Sequence, residues 1–265
     1  MLKTVDQVRL QITPSLQKLL NDVLLESDDL RPLMFGDEIE FTTIKGKPFP
    51  TEANACFNPF GEQFIIFIKH LYKIGSKEEY AIAHELGHLW LLFLGLPPER
   101  ITTDKDRQGN WDTFFGPLRE IMEHAVYYPL LKTEYKIDLY KIGNERLYDF
   151  IKSQLPTFKN ESAQEKLLLI LNYIKYVVES DSPYWQDRLH KAYSKKALDV
   201  KNIADTLLPI VQELSSAKDT RFFISQYRKV LKILDIDFGC PEEQWPKFCD
   251  PNYVSEIRDV HTIRN

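Results

Sequence analysis

The chain of 265 residues is long enough for one large domain or two small ones, with a substantial hydrophobic core. Hydrophobic residues make up 43% of the sequence and aromatic residues 12%, which excludes an intrinsically disordered chain. The net charge of -5 gives no support for binding to nucleic acid or to an anionic membrane surface, because either partner needs a strongly basic face.

The cysteines and the N-terminus indicate an intracellular protein. Cys56, Cys240 and Cys249 are few and odd in number, which does not suit a disulfide framework. The N-terminal residues lack the apolar segment and small-residue cleavage site of a signal peptide. The longest apolar run, Leu89 to Leu94, is far shorter than the roughly 20 residues of a membrane-spanning helix. We therefore expect a soluble, cytoplasmic protein.

The first elements in chain order are predicted to be a helix and a strand. Residues 14–30 read as a helix, because Pro14 suits the first turn and leucines repeat at helical spacing. Residues 37–44, DEIEFTTI, alternate and are rich in strand formers, which predicts a strand.

A hairpin and a long helix are predicted next. Residues 53–57 and 63–68 flank the turn signal Asn58-Pro59-Phe60-Gly61 and predict two paired strands. A helix is predicted over residues 77–94, since Gly95 and two following prolines mark its end.

The remainder of the chain is predicted to be mainly helical. Residues 99–115 are polar and predict a loop, which we consider as a lid, and residues 117–132 predict a second helix. Helical patterns then continue over residues 144–237. The region 135–145 is the best candidate for a boundary, which gives two predicted domains, residues 1–140 and residues 141–265.

In the segment EEYAIAHELGHLWLLFLGLPP, residues 81–96 are almost wholly apolar, yet they include three titratable side chains, those of His84, Glu85 and His88. His84 and His88 are four residues apart, so they lie on one helix face and can both bind one tetrahedral Zn²⁺. Glu85 is one position along the helix, where it can act as the general base on a water molecule. The alternatives are two hydrogen-bonded core histidines beside a solvated carboxylate, or a zinc site without catalysis.

The sequence HELGH after a hairpin, with a second helix downstream, resembles the zincin metallopeptidases of the gluzincin branch, and loosely the ImmA/IrrE-type peptidases. The resemblance covers roughly residues 35–132. It implies an α+β fold in which a small antiparallel sheet packs on an active-site helix pair, followed by a mainly helical C-terminal half. It also implies that a glutamate on the second helix, PLREIMEHAVYYPLL, is the third zinc ligand.

Two glutamates of that second helix are candidates for the third ligand. We favour Glu120, because His124 lies four residues on, where the family has a residue that supports a ligand histidine. Glu123 is the alternative. His124, Tyr127 and Tyr128 are candidates for a second oxyanion donor, although the tyrosines fit better as core aromatics.

Other histidines and other metallopeptidase branches are weaker candidates. The metzincin branch needs a third histidine shortly after His88, and the sequence LWLLFLGLPP contains none. His70, His190 and His261 are distant in sequence, and we interpret each as a surface or core histidine.

The sequence thus predicts a cytoplasmic zinc endopeptidase with His84, His88 and Glu120 as ligands and Glu85 as general base. Its expected partner is a protein or peptide substrate, bound along a strand edge, and a regulatory protein is a further candidate. Neither nucleic acid nor a membrane is expected. The alternatives are a zincin-fold binding or sensor module that retains zinc for structure, and an amide hydrolase with a closed pocket.

Overall fold

The computed structural model describes most of the chain. Backbone alone is described for residues 55–60, 112, 113 and 247; the full set of described residues is 2–26, 32–49, 55–60, 63–96, 112–158, 162–216, 219–239, 242 and 245–249. The chain forms two compact units, one of Met1–Leu94 with Leu131–Ile137 and the other of Gly95–Leu130 with Asp138–Asn265. The predicted domain boundary after residue 140 stays a prediction.

The first unit contains a four-stranded sheet. Its strands are β1 (Lys3–Thr4), β2 (Leu33–Gly36), β3 (Ala55–Phe60) and β4 (Gln63–Ile68), in the spatial order β1-β2-β4-β3. β1 is antiparallel to β2, β2 is parallel to β4, and β4 is antiparallel to β3. The sheet is therefore mixed, and the prediction of an antiparallel sheet is wrong, because the long connection after β2 returns the chain in the parallel direction.

The predicted hairpin is confirmed, and its first strand extends beyond the predicted end at residue 57. β3 continues through the predicted turn to Phe60, and Pro59 pairs with Phe64 of β4. Proline is tolerated there because β3 is the terminal strand in the order of the described strands. Of the two hairpin strands, β4 is internal and β3 lies at the end of the sheet formed by the described strands.

The helices of the first unit are α1 (Val5–Arg9), α2 (Pro14–Leu25), α3 (Glu38–Lys45) and α4 (Ser76–Phe93). α2 and α4 confirm the predicted helices, with Pro14 in the first turn of α2 and Gly95 at a positive φ of 92° just after α4. Both helices follow the leucine periodicity of the sequence.

The prediction of a strand over residues 37–44 is wrong, because this segment is α3. The Asp37 carboxylate accepts hydrogen bonds from the backbone amides of Ile39 (2.8 Å) and Glu40 (3.0 Å). The Glu40 carboxylate accepts a hydrogen bond from the Asp37 amide at 3.1 Å, which completes a capping box. Gly46 ends the helix in the left-handed conformation, with φ 67°. These caps at both ends outweigh the strand preference of the residues between them.

α4 occupies a central position in the first unit. It packs against α2 and against strands β3 and β4. Its buried side includes Ile82, Leu86 and Leu89, each fully inaccessible to solvent, and burial of such a side chain contributes about 1.5 to 3 kcal/mol. This side anchors the helix, so that its remaining residues are held in a fixed orientation.

The second unit is built from helices in its described residues. They are α5 (Asp112–Glu134, which ends in the first unit), α6 (Tyr140–Asp149), α7 (Ala163–Val178), α8 (Pro183–Lys196), α9 (Leu198–Gln212) and α10 (Thr220–Phe238). α6 continues into a π-helical turn, Phe150–Gln154. The prediction of helical structure over residues 144–237 is confirmed for the described residues, and α7 packs closely on α9.

α5 begins earlier than predicted. Residues 112–115 are helical, so the predicted loop over 99–115 is wrong at its end, while residues 97–111 lie outside the described residues. The predicted start of the helix is too late because Pro117 suits the first turn of a helix, whereas here it lies inside α5. None of the described helices combines the length and the apolar character needed to cross a lipid bilayer.

Candidate metal centre

The three motif residues lie on α4, on a side of the helix that is only partly buried. At the start of the helix, the Gly75 backbone amide donates a hydrogen bond to the Glu78 side-chain carboxylate at 3.0 Å, in the position of a capping box. Further along the helix, His84, Glu85 and His88 are of intermediate exposure, between the apolar residues that anchor α4. The sequence-based prediction that these three side chains share one region of a helix is consistent with this placement.

The two histidine side chains converge through their Nε2 atoms. Nε2 of His84 lies 3.2 Å from Nε2 of His88, and the rings are nearly perpendicular at 82°. Two nitrogens that bind one tetrahedral zinc at about 2.05 Å are separated by about 3.3 Å. The observed separation therefore fits two adjacent ligands of one zinc ion.

Glu85 lies beside this pair. Its Oε1 is 4.0 Å from His84 Nε2, and its side chain is 13% exposed. This distance is too long for a hydrogen bond. It is suitable for a carboxylate that acts on a water molecule between itself and the metal.

The two glutamates predicted as third ligands belong to the second unit and have different surroundings. Glu123 is buried and accepts a hydrogen bond from Arg119 Nε at 2.6 Å. Glu120 has 46% of its side chain exposed, and its Oε1 lies 3.8 Å from Lys175 Nζ. Both carboxylates thus face a cation, and their assignment as zinc ligands stays a prediction.

His124 forms a buried pair with a residue that sequence reasoning did not identify. Its Nδ1 lies 2.7 Å from Oε1 of Glu179, at the C-terminal end of α7, and both side chains are fully buried. The His124 ring stacks on Tyr128 at 4.9 Å and meets Tyr127 edge-on at 5.4 Å. Both tyrosines are buried, as expected for core aromatics. The ring of His124 is thus held on several sides.

Electrostatics favour the ionised form of Glu179. Burial alone would raise its pKa, but the neighbouring His124, by charge and by hydrogen bond, together with Lys175 and Arg146, holds the pKa below its ordinary value. Burial raises the pKa of Tyr128, and the charge of Glu179 adds to this effect, so Tyr128 stays a neutral phenol. The carboxylate of Glu179 is therefore an acceptor for a proton on His124.

Glu120, His124 and Glu179 bring potential ligand atoms within 4.8 Å of one another in the second unit. Lys175 lies 3.8 Å from Glu120 and 3.9 Å from Glu179. The ammonium group already supplies a positive charge to both carboxylates, so this group of three is a charge-compensated network rather than a convincing metal cage.

A second histidine network lies on α7, α8 and α9. The Tyr173 hydroxyl donates a hydrogen bond to Asp205 at 2.7 Å and also contacts His190 Nδ1. Lys201 contacts Asp205. His190 was predicted to be a surface or core histidine, and it is partly buried here. His70 is exposed, and His261 lies outside the described residues.

The only sequence signal for Glu179 is a single acidic residue after the apolar run KLLLILNYIKYVV. Its partner lies 55 residues earlier in the chain, which a local pattern does not reveal. Cys249 carries a buried thiol, whereas Cys240 and the side chain of Cys56 lie outside the described residues.

Comparison of the chain with protein-family models, with curated proteins and with solved structures returned no match.

Proposed function

We propose that this protein is a zinc-dependent endopeptidase, in which His84 and His88 bind zinc and Glu85 is the general base. The observation that carries this proposal is the 3.2 Å separation of the two histidine Nε2 atoms on α4. It agrees with the separation of about 3.3 Å between adjacent ligands of a tetrahedral zinc. The third ligand would come from α5, for which the sequence favours Glu120 and leaves Glu123 as the alternative.

Zinc, when bound, supplies a Lewis acid and lowers the pKa of a bound water to about 7. Glu85 accepts the proton of the attacking water, because its carboxylate lies near the histidine pair without being one of the two nitrogen ligands. The carboxyl group then delivers that proton to the amine that leaves. The apolar residues behind α4 hold the histidines and the base in fixed orientations.

An extended peptide would bind along β3. This strand is at the end of the sheet, and α4 packs against it, so a peptide added to the open side of β3 would lie in an extended conformation. Main-chain pairing selects little for side chains. A single regulatory substrate would therefore have to be recognised through additional contacts, and the helical second unit is the candidate region for a partner protein.

The decisive experiment compares zinc content and proteolysis for three variants. Glu85→Gln should keep zinc and lose about 10²- to 10⁴-fold in kcat, since it removes the general base. His84→Ala should lose both zinc and activity. His70→Ala is the matched control, because this exposed histidine on the first unit should change neither.

Two outcomes would contradict the proposal in different ways. If the wild-type protein binds no zinc, the metal site itself is wrong. If His84→Ala loses zinc but no peptide is cleaved by the wild type and Glu85→Gln has no phenotype, the zinc is structural. The protein would then be a binding or sensor module.

A further inference from the structure

The second unit carries an exposed aromatic cluster that the proposed zinc site does not use. Tyr148 of α6 and Tyr184 of α8 are 39% and 60% exposed. The ring of Trp185 makes edge-on contacts with both, with its centre 5.1 Å from that of Tyr148 and 4.9 Å from that of Tyr184. Tyrosine and tryptophan side chains at the surface are typical of protein interfaces, where they supply much of the binding energy.

Two cations lie on these rings. The guanidinium carbon of Arg188 is 5.3 Å from the centre of the Trp185 ring and 5.7 Å from that of the Tyr184 ring. The ammonium nitrogen of Lys152, in the π-helical turn after α6, is 5.3 Å from the centre of the Tyr148 ring. Both Arg188 and Lys152 are exposed. These five side chains together are called the aromatic–cationic surface below.

The hydrogen bonds within this surface leave hydroxyl protons for a partner. Arg188 Nη1 donates to the hydroxyl oxygen of Tyr184 at 2.9 Å. Lys152 Nζ donates to the hydroxyl oxygen of Tyr148 at 3.1 Å. Neither cation can accept a hydrogen bond, so each phenol keeps its own proton for another acceptor. Among the residues that the structure describes, neither hydroxyl proton has such an acceptor. A matching partner therefore has to supply acceptors, and anionic acceptors make the stronger bonds.

The start of α8 is tied down, which keeps the aromatic side chains in place. The Ser182 hydroxyl accepts a hydrogen bond from the Trp185 backbone amide at 3.5 Å. The side-chain amide of Gln186 donates to the backbone carbonyls of Ser180 at 2.6 Å and Val177 at 3.2 Å. Side chains that are ordered before binding lose less conformational entropy when a partner binds.

The neighbouring carboxylates make Arg188 the stronger anion contact of the two cations. Asp187 of α8 is paired with Lys191 at 2.6 Å, and this pair adds no net charge. The hydrogen bond and charge of Tyr148 raise the pKa of Lys152, and the charge of Asp149 adds to this effect, so Lys152 already has a nearby negative charge. Arg188 also presents a planar fork of N–H donors that matches a carboxylate.

The size of this positive region distinguishes between two kinds of anionic partner. A nucleic acid needs many cations along its phosphate backbone, and this chain has a net charge of -5. Two cations beside three aromatic rings match a few carboxylates and apolar side chains instead. This combination of arginine, tyrosine and tryptophan is the one found at the energetic centres of protein–protein interfaces.

We propose that the aromatic–cationic surface binds a short acidic segment of a partner protein, with a carboxylate on Arg188 as the main contact. Carboxylates of the segment accept hydrogen bonds from the two cations and the two tyrosine hydroxyls. Its apolar or aromatic side chains pack on the exposed rings. The surface lies on α6 and α8 and contains none of the residues assigned to zinc, so binding there needs no metal.

The test measures binding of a fluorescent synthetic peptide of alternating glutamate and tyrosine, beside the same peptide with glutamine in place of glutamate. The wild type should bind the acidic peptide more tightly, and salt should weaken this binding. Arg188→Gln should weaken it by about tenfold or more, the loss typical of a central interface residue, and Lys152→Gln should weaken it less. Lys229→Gln is the matched control, because it removes the same charge from an exposed position on α10 and should change nothing.

An NMR readout locates the binding without relying on the charge variants. The indole N–H resonance of Trp185, assigned with Trp185→Phe, should shift as the acidic peptide is added to the wild type. The resonance of Trp245, which is buried in the same unit, should stay in place. An unchanged Trp185 resonance at saturating peptide would overturn the inference even if a variant failed to fold.

Other occupants of the surface give different results. Equal binding of the acidic and neutral peptides, or unchanged affinity in Arg188→Gln, would overturn the inference directly. Tighter binding of a single-stranded oligonucleotide that is lost in Arg188→Gln would assign the surface to nucleic acid. Dimerisation of the wild type in sedimentation that is lost in Tyr184→Ser would assign it to a second copy of this chain.

Failure of this inference can be told apart from failure of the proposed function. His84→Ala should bind the acidic peptide as the wild type does, whatever its zinc content. If His84→Ala loses peptide binding, the peptide binds at α4 and the inference is wrong. If His84→Ala keeps both zinc and peptide binding, the proposed function is wrong and the inference stands.

Discussion

Two histidines of the second unit have different polar partners, a carboxylate in one case and a phenol hydroxyl in the other. His124 faces the buried carboxylate of Glu179. His190 instead contacts the hydroxyl of Tyr173, which donates its own proton to Asp205. Because the hydroxyl proton of Tyr173 is already donated to Asp205, His190 must donate its own proton from Nδ1 to the Tyr173 oxygen. Both the neutral and the protonated imidazole can donate this hydrogen bond, so the charges around His190 determine its protonation state.

The surroundings of His190 disfavour its protonation. Partial burial and the nearby Lys201 lower its pKa below the ordinary value, against the opposite influence of Asp205 and Asp187. A lowered folded pKa means that the unfolded chain binds the proton more readily. The stability contributed by neutral His190 is then fully present above the ordinary histidine pKa, and it is lost as the pH falls through the pKa of His190 in the folded state.

We predict that His190→Asn reduces the loss of stability in acid. Urea unfolding at about pH 7.5 and about pH 5.5 brackets the titration of an ordinary histidine, and the wild type should lose more free energy of unfolding between them than the variant. The difference between the two proteins removes the contribution of the other titrating groups. Equal losses in both proteins would show that His190 titrates as in the unfolded chain.

At the scale of helices and strands, the sequence predicted best where the signal is local. The HELGH helix was predicted from its periodicity and its terminal glycine and prolines, and α4 matches that prediction within one residue at either end. The segment of α3 is predicted as a strand, although Asp37, Glu40 and Gly46 are recognisable helix-capping residues. Cap chemistry at both ends was the stronger physical signal for a segment of this length.

The contact between α6 and α7 depends on one glycine. Gly143 is buried in α6, where glycine costs about 1 kcal/mol relative to alanine in helix propensity. That cost is offset because the backbone of Glu179 comes so close that a Cβ would lie 1.7 Å from its carbonyl oxygen. No rotamer change relieves a clash with backbone, so an added methyl group must move the end of α7.

We predict that Gly143→Ala destabilises the protein by about 2 kcal/mol or more through overpacking. It should also displace Glu179, which is the hydrogen-bond partner of His124. Gly46→Ala is the matched control: an added Cβ meets nothing within 4 Å, and the cost of about 1 to 2 kcal/mol is only that of the left-handed conformation. Urea unfolding of both variants checks this, and a loss of stability in Gly143→Ala no larger than that in Gly46→Ala would contradict it.

At the scale of the whole molecule, long-range pairing lay beyond the sequence. No local sequence pattern indicates that β2 pairs in parallel with β4. The residue pattern of a buried strand does not identify the strand with which it pairs. The same holds for Glu179 and His124. By contrast, the convergence of His84 and His88 was predictable, since a spacing of four residues on a helix places the two side chains on one face.

Zinc binding and folding are linked in the proposed site. The two histidine Nε2 atoms are held 3.2 Å apart only in the folded chain, so zinc should bind the folded state in preference to the unfolded state. At a free zinc concentration of 100 times Kd, this linkage stabilises the folded protein by about 2.7 kcal/mol.

We therefore predict that a chelator lowers the free energy of unfolding of the wild type by about 2.7 kcal/mol under that condition. Glu85→Gln should respond in the same way, because the base is not a ligand, whereas His84→Ala should be insensitive to the chelator. Urea unfolding with and without chelator gives the measurement for all three proteins. Since thermodynamic linkage does not depend on catalysis, it tests the metal site even before a substrate is identified. A wild type that unfolds identically with and without chelator would contradict zinc binding at this site.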